Sequence, residues 1–159
     1  MRPFPVVSCL VLSTALAAQD PKPVNAVLDD WHDAAAKADE ARYFGHMTAD
    51  SIFMGTDATE RWDLKAFQIF AHPFFAKGKA WSFKAVRRSV AFSPDGRTAW
   101  FDEDLDTPNM GPCRGTGVLS LQEGRWRIRH YSLTVPIPNA LMGEVKGRIA
   151  DHLKASPRP

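Results

Sequence analysis

Apolar residues recur at helical spacing between Val24 and Ala38, while acidic side chains and Lys37 occupy the opposite face. A period of about 3.6 residues predicts a first amphipathic helix. Its apolar positions are Val24, Val27, Leu28, Trp31, Ala34, Ala35 and Ala38. His32 follows Trp31 at the border of this stripe, where we expect a rim or surface position rather than a catalytic role.

Two further helices and a short strand are predicted before the middle of the chain. A short helix is expected over residues 41–47, then a break at residues 48–50 and a strand at residues 52–54. Asp63 is suited to cap a third helix, because Trp62 before it and Phe67 after it form a candidate hydrophobic staple. We expect this helix to kink or end at Pro73.

From Trp81 onward the apolar residues alternate with polar ones, which predicts strands. The strands are expected at residues 81–92, 98–105, 113–121 and 126–135, with the phase interrupted at Val86. A weak last helix is predicted over residues 141–153 because Gly143 and Gly147 lie inside it. Helices followed by long antiparallel strands indicate an α+β fold, in which a curved antiparallel sheet wraps around the N-terminal helices and leaves a concave apolar pocket.

The composition is typical of one globular domain: 159 residues, 45% hydrophobic and 24% charged. A net charge of +2 without a basic run gives no reason to expect nucleic acid as a partner. The sequence has no glycine-rich phosphate loop and no metal-ligand spacing among its histidines and cysteines, so we expect no cofactor and no metal. It also has no nucleophile-elbow motif.

Residues 1–18 have the layout of a secretory signal peptide: Arg2, an apolar run from Val6 to Ala18, and small residues around Ala17. We therefore expect export to the periplasm or the medium, and no stable membrane insertion, since spanning needs about 20 apolar residues. A lipidated Cys9 is the alternative. The mature chain then holds only Cys113, which we expect as a buried apolar residue without a disulfide.

Three segments together resemble the SnoaL-like branch of the nuclear transport factor 2-like superfamily. They are A-D-S-I-F-M-G-T-D at residues 49–57, C-R-G-T-G-V-L at residues 113–119 and G-R-W-R-I-R-H at residues 124–130. The resemblance runs from Trp31 to Pro138 and places the domain at residues 19–139, followed by a helix and disordered tail at 140–159. It implies a cone-shaped α+β half-barrel, often dimeric, so a homodimer is possible. This fold hosts isomerases, cyclases, dehydratases and binding modules, so it fixes no activity.

The resemblance does not support steroid-isomerase chemistry. Trp31 takes the place of the tyrosine that polarises the carbonyl in those relatives, and Thr116 stands near the place of the buried acid. The base would fall at Thr56 or at Asp57. In the cyclase relatives an acid–base carboxylate is used, and Asp57 or Asp102 could serve.

The residues give a further set of candidates. On the last strand, Trp126, Ile128 and His130 share one face, so we expect His130 in the pocket as a proton carrier, with a hydrogen-bonded core histidine as the alternative. At least one acid of Asp102, Glu103 and Asp104 should point inward and be paired. Arg114 could hold a carboxylate ligand or pair with one of these acids.

Three hypotheses follow, and the first is an exported protein that binds a small, mostly apolar molecule in its cone. Asp57 and His130 are the candidate catalytic residues. The candidate ligand-binding residues are Trp31, Tyr43, Asp102, Glu103 and Arg114. Trp62 and Trp81 could also wall a hydrophobic ligand. The second hypothesis is a cofactor-free isomerase, cyclase or dehydratase that uses pocket acids and bases, and the third is a non-catalytic dimerising association domain.

Overall fold

The computed structural model describes residues 19–155, so the predictions for residues 1–18 and 156–159 lie outside the described residues. Four helices and six strands form the described part. In chain order they are α1 (Lys22–Ala36), α2 (Glu40–Gly45), β1 (Met47–Met54), β2 (Arg61–Asp63), α3 (Leu64–Ala76), β3 (Lys84–Phe92), β4 (Thr98–Thr107), β5 (Gly111–Gln122), β6 (Arg125–Thr134) and α4 (Met142–Ala155), with a 3-10 turn at Asn139–Leu141 before α4.

The strands form one curved, unclosed sheet in the order β2-β1-β6-β5-β4-β3, which confirms the predicted α+β cone. One pair departs from the antiparallel prediction, because β1 and β6 run parallel. The reason lies in the connection: β3 to β6 form an antiparallel meander whose last strand returns beside β1 in the same direction. The element β2 was not predicted, and it pairs with β1 at the edge of the sheet.

Two irregularities set which side chains face the core. The register of β3 against β4 shifts between Ala85 and Arg87, which confirms the interruption expected at Val86. The register of β6 against β5 also shifts, because Leu119 pairs with Ile128 and Val118 pairs with His130, so Arg129 is extra. Beyond this bulge the buried residues of β6 are Tyr131 and Leu133. The expectation that His130 shares the inward face of Ile128 is therefore wrong.

The N-terminal end of α3 is capped as predicted, but the helix does not end at Pro73. Asp63 caps the helix by accepting a hydrogen bond from the N–H of Ala66 at 2.8 Å, and the rings of Trp62 and Phe67 stack with centroids 5.8 Å apart. The helix continues through Pro73 to Ala76, where Phe75 is buried in the core. Burial of Phe75 in this last turn offsets the loss of the helical hydrogen bond that Pro73 cannot donate.

The core lies between α1, α2, α3 and the inner face of the sheet. Its largest fully buried apolar side chains are Trp31, Tyr43, Tyr131, Phe67, Leu28, Leu119 and Ile128. Cys113 is buried as expected. The helix α4 has no buried residue, so it lies outside this core.

Candidate functional site

A cavity of about 280 Å³ opens beside α3, at the end of the cone where β1, β2 and the connection from β4 to β5 meet. Most of its wall is aromatic. Its lining residues are Phe53, Gly55, Thr56, Glu60, Trp62, Phe67, Phe70, Phe74, Trp81, Phe83, Asn109, Met110 and Leu133. We call this space the aromatic cavity.

Several pairs of rings in the wall of the aromatic cavity stack on each other. Phe53 and Phe67 stack with centroids 4.0 Å apart and an angle of 16° between their planes. Trp62 and Phe70 stack at 4.4 Å and 23°, and Phe67 and Trp81 at 5.8 Å and 23°. An aromatic wall favours a flat ligand that packs on the exposed surfaces of its rings, or a cation that lies over a ring face.

The polar atoms of the aromatic cavity come from two loops. Thr56 and Glu60 belong to the loop between β1 and β2, and Asn109 to the turn between β4 and β5. The Glu60 carboxylate is positioned by its own loop, because Oε2 accepts a hydrogen bond from the N–H of Asp57 at 3.1 Å. A Cβ atom on Gly55 would meet this carboxylate, so a larger residue at position 55 would displace the Glu60 side chain.

Neither candidate catalytic residue lines the aromatic cavity. Asp57 is exposed, and its Oδ1 accepts hydrogen bonds from the N–H and the hydroxyl of Thr59, at 2.8 Å and 2.6 Å. It therefore shapes the loop. His130 is half-buried on the other face of β6 from Tyr131 and Leu133. The position predicted for His130 in the pocket is wrong because of the bulge at Arg129.

The aromatic residues predicted to bind a ligand also lie outside the cavity. Trp31 and Tyr43 are fully buried, and their rings stack on each other at 4.8 Å rather than lining the aromatic cavity. Tyr43 packs edge-on against Trp81 with centroids 5.4 Å apart, so it supports the back of the cavity wall. Trp62 and Trp81 do line the cavity, as expected.

The polar candidates on the central strands divide between the two faces of the sheet. Asp102 and Arg114 are exposed, and neither lines the aromatic cavity. Glu103 is fully buried, which confirms that one acid of the three points inward and is paired. It does not line the cavity either.

Glu103 is the centre of a buried hydrogen-bond network. One carboxylate oxygen, Oε1, accepts hydrogen bonds from the Nε2–H of His32 at 2.8 Å and the hydroxyl of Tyr131 at 3.1 Å. The other oxygen, Oε2, accepts one from the Nε–H of Arg88 at 2.9 Å. Arg88 also reaches Asp29 of α1 at 2.8 Å. We call Glu103, His32, Tyr131 and Arg88 the Glu103 network.

His32 is buried, so the expected rim or surface position is wrong. Its partner lies on a strand 71 residues away in the chain, and no local pattern could have signalled that pair. The network fastens α1 to β3, β4 and β6, because each of these elements contributes one of its members.

Burial and charge act in opposite directions on the groups of the network. Burial raises the pKa of the Glu103 carboxyl, but the hydrogen bond from His32 and the positive charge of Arg88 outweigh it and lower the pKa below its usual value. An ionised carboxylate only accepts hydrogen bonds, which fits its three donors. Burial and the negative charge of Glu103 raise the pKa of Tyr131 well above its usual value.

The Glu103 network and the aromatic cavity are separate sites. Phe83 borders the cavity and also packs edge-on against His32, with centroids 5.9 Å apart. Glu103 and Tyr131 are fully buried and absent from the cavity wall. The network therefore stabilises the fold, and the aromatic cavity is the candidate ligand site. Among residues 19–155, no group of His, Cys, Asp or Glu is arranged to hold a metal ion.

Sequence reasoning missed Glu60, Phe70 and Phe74. The aromatic residues Phe67, Phe70 and Phe74 do carry a signal, since their spacing places them on one face of a helix. Two of them remain exposed, Phe70 at 39% and Phe74 at 45%, so this face extends past the core to the cavity mouth. Glu60 gave no signal, because it enters the cavity only through the turn between β1 and β2.

Residues 24–138 match the family described as the SnoaL-like domain. This chain belongs to the SnoaL-like family. The matched segment contains the whole sheet, the aromatic cavity and the Glu103 network. The sequence matches no curated protein at a significant level.

Solved structures with the same fold are distant in sequence. A nuclear transport factor 2-like protein of unknown function from Pseudomonas putida is 13% identical, with 74% of this chain and 87% of that chain covered and a TM-score of 0.61. A protein from Parabacteroides distasonis, provisionally assigned as a ketosteroid isomerase, is 15% identical, with coverages of 79% and 94% and a TM-score of 0.60. A protein from Xanthomonas campestris, provisionally assigned as a calcium/calmodulin-dependent protein kinase II association domain, is 20% identical, with coverages of 77% and 91% and a TM-score of 0.58.

Within the described residues, no helix is long and apolar enough to cross a membrane. Identities at this level support the shared fold and leave the activity of each protein its own.

Proposed function

We propose that this SnoaL-like protein binds a small, mostly apolar and flat molecule in the aromatic cavity. The observation that carries the proposal is the mostly aromatic wall with its stacked rings, to which Thr56, Glu60 and Asn109 add the polar side chains among the described lining residues. The volume of about 280 Å³ lies just below the value of about 300 Å³ at which ligand pockets usually start. An apolar cavity of about 150 Å³ holds benzene, so a molecule of one or two rings fits here.

Binding is favoured over the isomerase, cyclase or dehydratase alternative by what lines the cavity. A proton transfer between two positions needs a base and an acid within reach of the bound molecule. Among the described lining residues, Glu60 is the one acidic or basic side chain. The titratable groups of the Glu103 network lie behind Phe83.

The test combines native mass spectrometry with calorimetry. Protein purified from its host should retain a small molecule, and phenol and 2-naphthol should bind in isothermal titration calorimetry. The Thr56→Trp substitution fills the cavity mouth and should abolish binding, whereas Thr116→Trp, at an exposed position outside the cavity, should leave binding unchanged. The proposal is refuted if protein purified from its host carries no small molecule and binds neither phenol nor 2-naphthol.

We also propose that the protein is exported, with the first 18 residues removed. The support is the signal-peptide layout of Arg2 and the apolar run that follows it. N-terminal sequencing of protein from the culture medium and periplasm should give a chain that begins near Gln19. Full-length protein confined to the cytoplasm would contradict export.

A homodimer is the remaining proposal about partners. Trp100 is 48% exposed on β4, and aromatic side chains are enriched at protein interfaces. The Xanthomonas campestris relative, assigned as an association domain, lends further support. Sedimentation analysis should give a dimer that Trp100→Lys converts to a monomer, and a monomeric unmodified protein would refute this.

A further inference from the structure

We infer that the molecule bound in the aromatic cavity is an organic cation, held by the Glu60 carboxylate and the surrounding π faces. This inference rests on the proposed binding function and adds the charge of the ligand. Its basis is the juxtaposition of one carboxylate with aromatic rings in a cavity whose described lining includes no lysine, arginine or histidine.

The charges around the cavity favour a positive ligand over a negative one. Glu60 brings a negative charge to the lining, where Thr56 and Asn109 are the other polar side chains. The nearby cation of Arg61 does not alter this balance, because Arg61 and Trp62 point to opposite faces of β2 and Trp62 is the one that lines the cavity. A carboxylate or phosphate ligand would be desolvated beside Glu60 without a cation to pair with.

The rings supply the second half of a cation site. Trp62, Phe70 and Trp81 border the same cavity as Glu60, and the negative π face of an aromatic ring attracts a cation within about 6 Å of its centroid. Tryptophan is the strongest ring for this purpose, and two tryptophans are present. Rings of this kind recognise substituted ammonium groups, whose charge is surrounded by apolar substituents and is therefore weakly hydrated.

The chemistry of the site distinguishes an organic cation from a metal ion. Hard metal ions such as calcium take about six to eight oxygen ligands. The cavity offers the carboxylate of Glu60, the amide of Asn109 and the hydroxyl of Thr56, and most of the remaining wall is ring and hydrocarbon. The ligand class is therefore an aromatic or aliphatic amine or a quaternary ammonium compound of one- or two-ring size.

The test compares two probes of the same shape and different charge. Phenyltrimethylammonium and tert-butylbenzene differ in one central atom and in charge, and benzoate serves as the anion. We expect the unmodified protein to bind the cation about tenfold more tightly than the neutral probe and to reject benzoate. The preference should weaken in high salt, because screening reduces the attraction to Glu60.

The Glu60→Gln substitution removes the charge and keeps an oxygen that can accept from the Asp57 N–H, so the loop should stay folded. This variant should bind tert-butylbenzene as before and lose most of its preference for the cation. Glu123→Gln, at an exposed turn between β5 and β6, is the matched control and should behave as the unmodified protein.

The outcomes separate this inference from the binding function on which it rests. If both probes bind equally well, or if the cation preference survives Glu60→Gln, the inference is overturned while the cavity remains a binding site. If no probe binds and Thr56→Trp changes nothing, the binding function itself fails. Tighter binding of benzoate than of either other probe would also overturn the inference.

Discussion

Replacing Glu103 by glutamine removes a negative charge from the fully buried centre of the Glu103 network. Glutamine has nearly the same size, so the packing of Tyr131 and the other rings should be kept. The three donors that converge on the carboxylate then meet an amide that has one acceptor oxygen and an NH₂ donor group. At least one donor of His32, Tyr131 or Arg88 loses its acceptor.

The size of the effect follows from the burial of Arg88. Its side chain is 7% exposed, and its remaining carboxylate partner, Asp29, is 67% exposed and therefore weak. Removing one member of a buried ion pair costs about 3–5 kcal/mol of unfolding free energy. Because Asp29 and the amide oxygen offset part of this cost, we expect about 3 kcal/mol at pH 7, a large fraction of the roughly 5–15 kcal/mol that holds a domain folded.

The pH dependence of this stability difference provides an independent test. The pKa of Glu103 is lowered below its usual value of 4.5 in the folded protein, because the contacts with His32 and Arg88 outweigh burial. A lowered pKa contributes stability above the unfolded pKa, and this contribution is lost as the pH falls through the folded pKa. The gap in unfolding free energy between the unmodified protein and Glu103→Gln should therefore be constant from pH 7 to about pH 5 and shrink in more acidic solution.

Urea denaturation followed by circular dichroism measures both quantities. Asp102→Asn is the matched control, because it makes the same chemical change at the neighbouring exposed position and should alter the unfolding free energy by less than about 0.5 kcal/mol. The reasoning is wrong if Glu103→Gln costs less than about 1 kcal/mol at pH 7 or if the gap does not shrink in acid.

Three further predictions concern the scaffold. Gly117→Ala should lower the unfolding free energy by about 1–3 kcal/mol, because a Cβ atom there would collide with the backbone oxygen of His130 and lie 2.7 Å from the ring of Phe101; unchanged urea denaturation would contradict this. Asp63→Ala should cost about 1 kcal/mol by removing the cap of α3, measured in the same way, and no cost would mean that the cap is dispensable. In a chain that begins at residue 19, Cys113 is 3% exposed and should react with a thiol reagent only after urea has unfolded the protein. Rapid reaction in buffer without urea would refute its burial.

Most of the fold could be predicted because most elements carry their own pattern, whereas β2 and the parallel pairing of β1 with β6 could not. The apolar period of α1 and the cap at Asp63 are local properties, and both are confirmed. What local patterns could not supply were partners. His32 lies at the edge of the apolar stripe, and its burial is decided by Glu103 on β4. On β4 the alternation of Ala99, Phe101 and Leu105 does place Glu103 on the inward face, and only its partners on other elements had no local signal.

The candidate site was predicted less well, and one residue of β6 accounts for much of the difference. Strict alternation places His130 with Ile128, but Arg129 adds an extra residue and turns Tyr131 and Leu133 inward. A bulge of this kind depends on pairing with the neighbouring strand, so its position cannot be read from alternation along one strand. The existence of a concave pocket followed from the fold, whereas its lining did not.

The position of the cavity follows from how large residues fill the cone. Between the helices and the sheet, Trp31 stacks on Tyr43 and packs edge-on against Tyr131, and these three rings fill the space. Gly115 makes this possible, because a Cβ atom at that position would collide with the hydroxyl of Tyr131.

Since the deep part of the cone is filled, the aromatic cavity lies beside α3, and Glu60 rather than Glu103 is the acid in its lining. The charge that could act on a bound molecule therefore comes from the loop between β1 and β2. The carboxylate of Glu103, whose pKa is lowered by its partners, instead holds α1 to the sheet. A SnoaL-like domain with smaller residues in place of Trp31 and Phe83 would connect the two sites, and an acid held like Glu103 would then face its ligand.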